Sequence, residues 1–167
     1  TYFYFTSGNV TADFMVDALE DLWPSIKARF NPHTIAINAD NGPENNSRRS
    51  QFMKRLLDFA IQNEVSISLI YYPPYHSKYN PIERVWGHLE KHWNGALLDT
   101  LDTVLNFANS FRFKQLQPSV NLIAKVYNTG VKLSQKEMNR LEQRFDRFPS
   151  LEKWFVRISP LQPLSHA

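Results

Sequence analysis

The chain has 167 residues, 43% hydrophobic and 14% aromatic, which suits one domain with a real core and excludes a disordered polypeptide. Lys and Arg number 19 against 16 Asp and Glu, and the resulting formal charge of +3 admits a polyanionic partner without demanding one. Cysteine is absent, which excludes disulfide scaffolds and thiolate metal sites, and no apolar run approaches the roughly 18 residues of a membrane span.

Tyr2 to Thr6 is aromatic and β-prone, and Ser7-Gly8-Asn9 ends it, so a strand opens the chain. Because Thr1 lies inside that strand and no initiator Met precedes it, the expectation is a piece of something longer. Thr11 suits a helix N-cap, with Asp13 favoured in the first turn by the helix dipole. Met15, Ala18, Leu19, Leu22, Trp23 and Ile26 follow at helical spacing, with a kink or break expected at Pro24. Thr34 to Ala39 reads as a short strand, and Asp40-Asn41-Gly42-Pro43 turns the chain. A second helix is predicted over about 47–63, burying Phe52, Leu56, Phe59 and Ala60. Val65 to Tyr72 is a strand with Ile67, Leu69 and Tyr71 on one face.

Asn80, Pro81 and Glu83 mark the next helix start, as N-cap, N1 and N3, with Val85, Leu89 and Trp93 on its packed face. Leu101, Val104, Leu105, Ala108 and Phe111 predict a further helix. Ser134 with Glu137 forms a capping box ahead of Met138, Leu141 and Phe145, predicting a last one. The segment from Phe148 to Pro160 fits no element clearly. Strands alternating with helices argue for an α/β layered domain with parallel strands. Residues 1–115 are expected to form its main part, and 116–167 a helical extension and tail.

Two acids stand out. Asp40 follows an apolar strand directly, and Glu83 lies one turn into a helix behind the stiff loop Tyr72-Pro73-Pro74-Tyr75-His76-Ser77-Lys78-Tyr79. Two carboxylates presented from rigid elements suit a divalent-metal phosphoryl-transfer site. Each also has a plainer reading: Asp40 as a turn former bonding nearby amides, and Glu83 as the N3 member of a capping box on Asn80. Arg84 and Arg55 are candidate ion partners of Glu83. Glu90, seven residues on and on roughly the same helix face, is a reserve acid.

Pro73-Pro74-Tyr75 followed by Asn80-Pro81-Ile82-Glu83-Arg84-Val85-Trp86 resembles the signature of DDE-type transposases, and the longer frame is most similar to the bacterial ISAzo13-type, related to the Tc1/mariner group. Thr11 to Glu20, Asn38-Ala39-Asp40 and Tyr127 to Ser134 support the resemblance, and Lys153 to Pro160 matches more loosely. The resemblance implies an RNase H-like α/β fold, incomplete at its N-terminal strands and carrying extra C-terminal helices. It implies that Asp40 and Glu83 are catalytic and hold Mg²⁺ or Mn²⁺, and that the partner is DNA, both transposon ends and target. A bacterial cytoplasmic, nucleoid-associated location follows, with no membrane and with homo-oligomeric assembly compatible. The family's first catalytic aspartate is expected upstream of Thr1, since Asp13 and Asp17 sit on a helix at the wrong topological place. This chain alone is then expected to be inactive. The alternative is a non-catalytic DNA-binding remnant of a domesticated transposase; a metal-free protein-interaction domain is a third class.

Arg48, Arg49, Lys54 and Arg55 cluster near Asp40 in sequence, and Lys78 and Arg84 flank Glu83. Arg48, Arg49, Lys78 and Arg84 are the candidate phosphate contacts, with plain solubilising charge as the competing reading. His88 and His92 have the i, i+4 spacing of a zinc pair, but Leu89 and Lys91 depart from the metalloprotease patterns, so a solvated helix face is expected. Tyr71, Tyr72, Tyr75 and Tyr79 suit base stacking, but packing of loops onto the core is the preferred reading.

Overall fold

The computed structural model describes residues 1–73 and 80–161, which form mixed α/β structure in two units, Thr1–Asn9 with Pro74–Val126 and Val10–Pro73 with Tyr127–Ala167. In chain order the elements are β1 (Tyr2–Phe5), α1 (Ala12–Phe30), β2 (Thr34–Ala39), α2 (Ser50–Asn63), β3 (Ser66–Tyr71), α3 (Pro81–Trp93), α4 (Leu101–Ser110), β4 (Ser119–Leu122), α5 (Gln135–Glu142), β5 (Phe145–Arg147) and β6 (Phe155–Ile158).

The unit containing α1 and α2 is built on a four-stranded sheet in the order β2-β3-β6-β5. β2 and β3 are parallel, in register from Thr34 opposite Ser66 to Ala39 opposite Tyr71. Parallel neighbours need a crossover connection, and α2 supplies it. Period-2 alternation buries Ile67, Leu69 and Tyr71 on β3, as the sequence predicts. α2 lays Phe52, Met53, Leu56, Leu57, Phe59 and Ala60 into the same core, where Phe59 meets Trp23 of α1 edge-on.

Thr11 caps α1 as predicted, its Oγ1 accepting from the Phe14 amide, and Asn31 ends it in the left-handed conformation. Pro24 does not break the helix, which continues to Phe30. α2 begins at Ser50, because Ser47 is buried and turned away to donate to the Lys153 carbonyl at 3.4 Å. The Ser134–Glu137 capping box forms, yet α5 stops at Glu142 and Phe145 is buried from a strand instead. The unassigned tail becomes β6, antiparallel to β3 with Ile67 opposite Ile158, and β5 pairs with β6. Among the described residues the segment after residue 115 thus holds one helix and three strands, where the sequence suggests a helical extension.

The other unit pairs β1 with β4 in parallel, Tyr2 opposite Ser119. Alternation along the sequence places the first strand beside the other apolar strands instead, and gives no sign of β4. Burial decides the pairing: Phe3 is 3% exposed, stacked on Trp86 at 5.4 Å and tilted against Phe111 at 5.9 Å. Val85, Leu89, Ala108 and Phe111 from α3 and α4 complete this second cluster, which covers a two-stranded ribbon too small to persist alone. Among the described residues no helix is long and apolar enough to cross a membrane.

Candidate metal and nucleic-acid site

Asp40 stands one residue beyond β2, at the carboxyl end of the parallel pair, where Tyr72 N–H still bonds the Ala39 carbonyl at 3.2 Å. Asn41 follows at φ 63°, a left-handed conformation that asparagine tolerates, so the chain reverses at once. The exposed Asp40 carboxylate accepts through Oδ1 from Gly42 N–H at 3.2 Å and from Asn45 Nδ2 at 2.8 Å. Its turn-forming role is therefore real. It occupies one oxygen, and Oδ2 accepts nothing from the described residues.

The loop is tied down from below. Tyr71 O–H donates to the Asn45 carbonyl at 2.6 Å, and Asn46 bonds the Gly42 and Pro43 carbonyls through Nδ2. Burial, with the Asp40 charge adding and the Arg147 charge opposing, pushes the Tyr71 phenol far above its ordinary value, so it stays a donor. Tyr71 thus packs in the core, as expected, and also anchors the loop that aims Asp40. A Cβ placed on Gly42 would lie 3.3 Å from Asn45 Oδ1 and 3.4 Å from Asp40 Oδ1, so glycine is what lets these two side chains close over the turn. Tyr71→Phe should lower stability by about 1 kcal/mol, the net value of one such bond, read by thermal unfolding.

Glu83 lies in the first turn of α3, capped by Asn80 Oδ1 accepting from Ile82 N–H at 3.3 Å. The predicted capping box is not formed, since the Glu83 carboxylate is exposed and bonds no described residue. The positive end of the helix dipole favours an anion there. Arg55 is not its partner: the guanidinium binds Asp13 at 3.0 Å, Asp17 at 2.6 Å and Glu20 at 3.1 Å, joining α1 to α2. Asp13 and Asp17 are thereby committed to a structural cluster, with Tyr127 O–H also donating to Asp17 at 2.8 Å.

Asp40 and Glu83 belong to different units. A hard dication takes oxygen ligands, and each carboxylate is of a type that suits it, because each keeps an oxygen that no described residue bonds. Asn45 Oδ1, beside Asp40, is also a buried oxygen without a hydrogen-bond partner. Among the described residues no three His, Asp or Glu side chains gather as a metal-holding group.

Arg48 is exposed and its guanidinium pairs with no described residue, whereas Arg49 is held by Glu44 at 3.0 Å with 13% of its side chain exposed. Arg84 is exposed on α3, and Lys78, with Tyr75, His76 and Tyr79, lies outside the described residues. Tyr72 is half-buried and Glu90 exposed. His88 and His92 do more than face solvent: His88 meets Phe113 edge-on, and His92 bonds Ser110 Oγ at 2.9 Å and rests on Phe107 and Phe111.

Sequence reasoning passes over Asn45, Tyr71 and Ser47 as supports of this loop, although the spacing of Asp40, Gly42 and Asn45 carries a local signal. No curated protein and no solved structure matches the chain. A family model described as the Rhodopirellula transposase DDE domain matches residues 1–160. With nearly its whole length matched, and with the ISAzo13-type signature around Glu83, the chain belongs to this DDE transposase family.

Proposed function

We propose that this domain carries out metal-dependent DNA cleavage and strand transfer on an RNase H-like fold, with Asp40 and Glu83 as metal-holding catalytic carboxylates. Membership of the DDE family over residues 1–160 is the observation that carries the reading. The state of the two side chains supports it: Gly42 and Asn45 orient Asp40 while leaving Oδ2 available, and Glu83 is unspent on its own helix cap.

In this class of reaction a water or 3′ hydroxyl oxygen forms a new bond to phosphorus. The original ester oxygen leaves, and the attacking group's proton passes to solvent. Bound Mg²⁺ or Mn²⁺ supplies the charge that activates the attacking oxygen and steadies the leaving one. The chain's part is to hold Asp40 in one rotamer through Tyr71, Asn45 and Gly42, and to present Glu83 from the first turn of α3. Arg48, Lys78 and Arg84 contact backbone phosphates and set the strand's register. Asp13 and Asp17 take no part, being bound to Arg55.

The test is cleavage of transposon-end DNA by the full-length protein in Mg²⁺ or Mn²⁺, with activity expected to vanish on chelation and return on metal readdition. Salt-sensitive DNA binding without cleavage in either metal would instead favour the non-catalytic DNA-binding remnant.

A further inference from the structure

Beside Asp40 lies a concavity of about 330 Å³ lined by Asn41, Asn46, Ser47, Arg48 and Lys153. It contains two cations and no carboxylate. Arg48 and Lys153 are both exposed; the Arg48 guanidinium makes no ion pair with a described residue, and Lys153 meets the charge of neighbouring Glu152 without a close ion pair. Two cations that line one hollow repel, and an anion bound between them offsets that repulsion.

The walls are built rather than accidental. Buried Ser47 donates from Oγ to the Lys153 carbonyl, fixing the loop that carries Arg48 against the segment that carries Lys153. Arg147 reinforces the join, donating to the Ser47 carbonyl at 2.9 Å and the Glu152 carbonyl at 3.0 Å. Arg48 N–H bonds Asn46 Oδ1 at 3.0 Å, which shapes the turn under the guanidinium. The nearby acids have partners of their own: Glu142 is bound to Arg147, and Glu152 accepts from Ser150 N–H at 2.9 Å; both line an adjoining hollow that Arg48 and Lys153 also border. Arg48 precedes the N-cap Arg49 of α2, a helix with no acidic residue in its first turn and no side-chain cap.

We infer that Arg48 and Lys153 form a phosphate clamp that holds a backbone phosphate of the DNA strand next to Asp40. The inference rests on the DNA-cleaving reading above and adds to it a residue, Lys153, from the far end of the chain. A guanidinium and an ammonium on rigid, separate segments fix one phosphate in position without reading a base, so the clamp serves register rather than sequence choice.

Binding of this chain to a fluorescently labelled duplex of about 20 base pairs, followed by anisotropy across a salt series, tests the clamp. Each of Arg48→Gln and Lys153→Gln should weaken binding several-fold and lower the steepness of log affinity against log salt by about one, the double variant by about two. Lys136→Gln, which removes the same charge from exposed α5, should leave both quantities unchanged, and Lys153→Arg should keep the slope. All four side-chain changes are at exposed positions, so thermal midpoints should match the parent. If the unsubstituted chain binds in a salt-sensitive manner and the double variant keeps its slope, or Lys136→Gln weakens binding equally, the clamp is refuted while the DNA reading survives. If the unsubstituted chain shows no salt-sensitive binding, both fall together.

Discussion

Asp40→Asn and Glu83→Gln are each expected to cut the DNA-cleavage rate of the full-length protein by at least about a thousandfold. That corresponds to roughly 4 kcal/mol of lost transition-state stabilisation, within what metal-centred charge supplies at a phosphoryl group. Both replacements keep the size of the side chain and remove the charge a dication needs. Stability should barely change. The side-chain carbonyl introduced by Asp40→Asn would still accept from Gly42 N–H and Asn45 Nδ2, and Glu83 makes no bond to any described residue that could be lost. The measurement is single-turnover cleavage alongside thermal unfolding. Near-normal cleavage by either variant removes that residue from the chemistry, whereas a collapse in midpoint would show a structural role instead.

The second large effect concerns stability alone. Arg55→Met is expected to destabilise the chain by about 3 kcal/mol, lowering the unfolding midpoint by roughly 6–12 °C. The guanidinium is 18% exposed and binds Asp13 and Asp17, themselves 19% and 14% exposed, and the more open Glu20. Burial alone would lower the Arg55 pKa, but the Asp17 hydrogen bond and the charges of Glu20 and Asp17 outweigh it and hold the group firmly protonated. Removing it leaves partly buried carboxylates facing one another, which costs more than the pair itself contributes. Lys54→Met on the same helix is the contrast. Lys54 and Asp58 are 44% and 48% exposed, and such a surface pair is worth no more than about 0.5 kcal/mol. Equal losses in the two variants would overturn the argument from burial.

Local signals in this chain carry far. The Thr11 and Ser134 caps, the Asn80-Pro81 helix start, the α2 face and the alternation of β3 all depend on neighbours within a few residues, and each forms as read. The departures have a common cause. Pro24 sits within a helix whose burial of Trp23 and packing of Ile26 outweigh one lost backbone bond. Glu83 reads as a box member because N3 glutamates commonly are, and nothing local reveals that the carboxylate bonds no described residue. β5 and β6 escape notice because strands of three and four residues carry too few alternating positions to be told from an aromatic coil.

The candidate site divides along the same line. Residue type and spacing alone marked Asp40 and Glu83, since an acid after an apolar strand and an acid in a helix's first turn are properties of short consecutive stretches. Local order also determined most helices and the β2-α2-β3 alternation. Tertiary structure decided which strand each strand meets: β1 with β4, and β6 with β3. It also decided which charges are spent, giving Arg55 to α1, Arg49 to Glu44 and Arg147 to Glu142, while placing Arg48 and Lys153 on the lining of one hollow. Pairing between residues far apart in sequence depends on how the chain closes on itself, and the closure is driven by burying side chains whose partners no local pattern names.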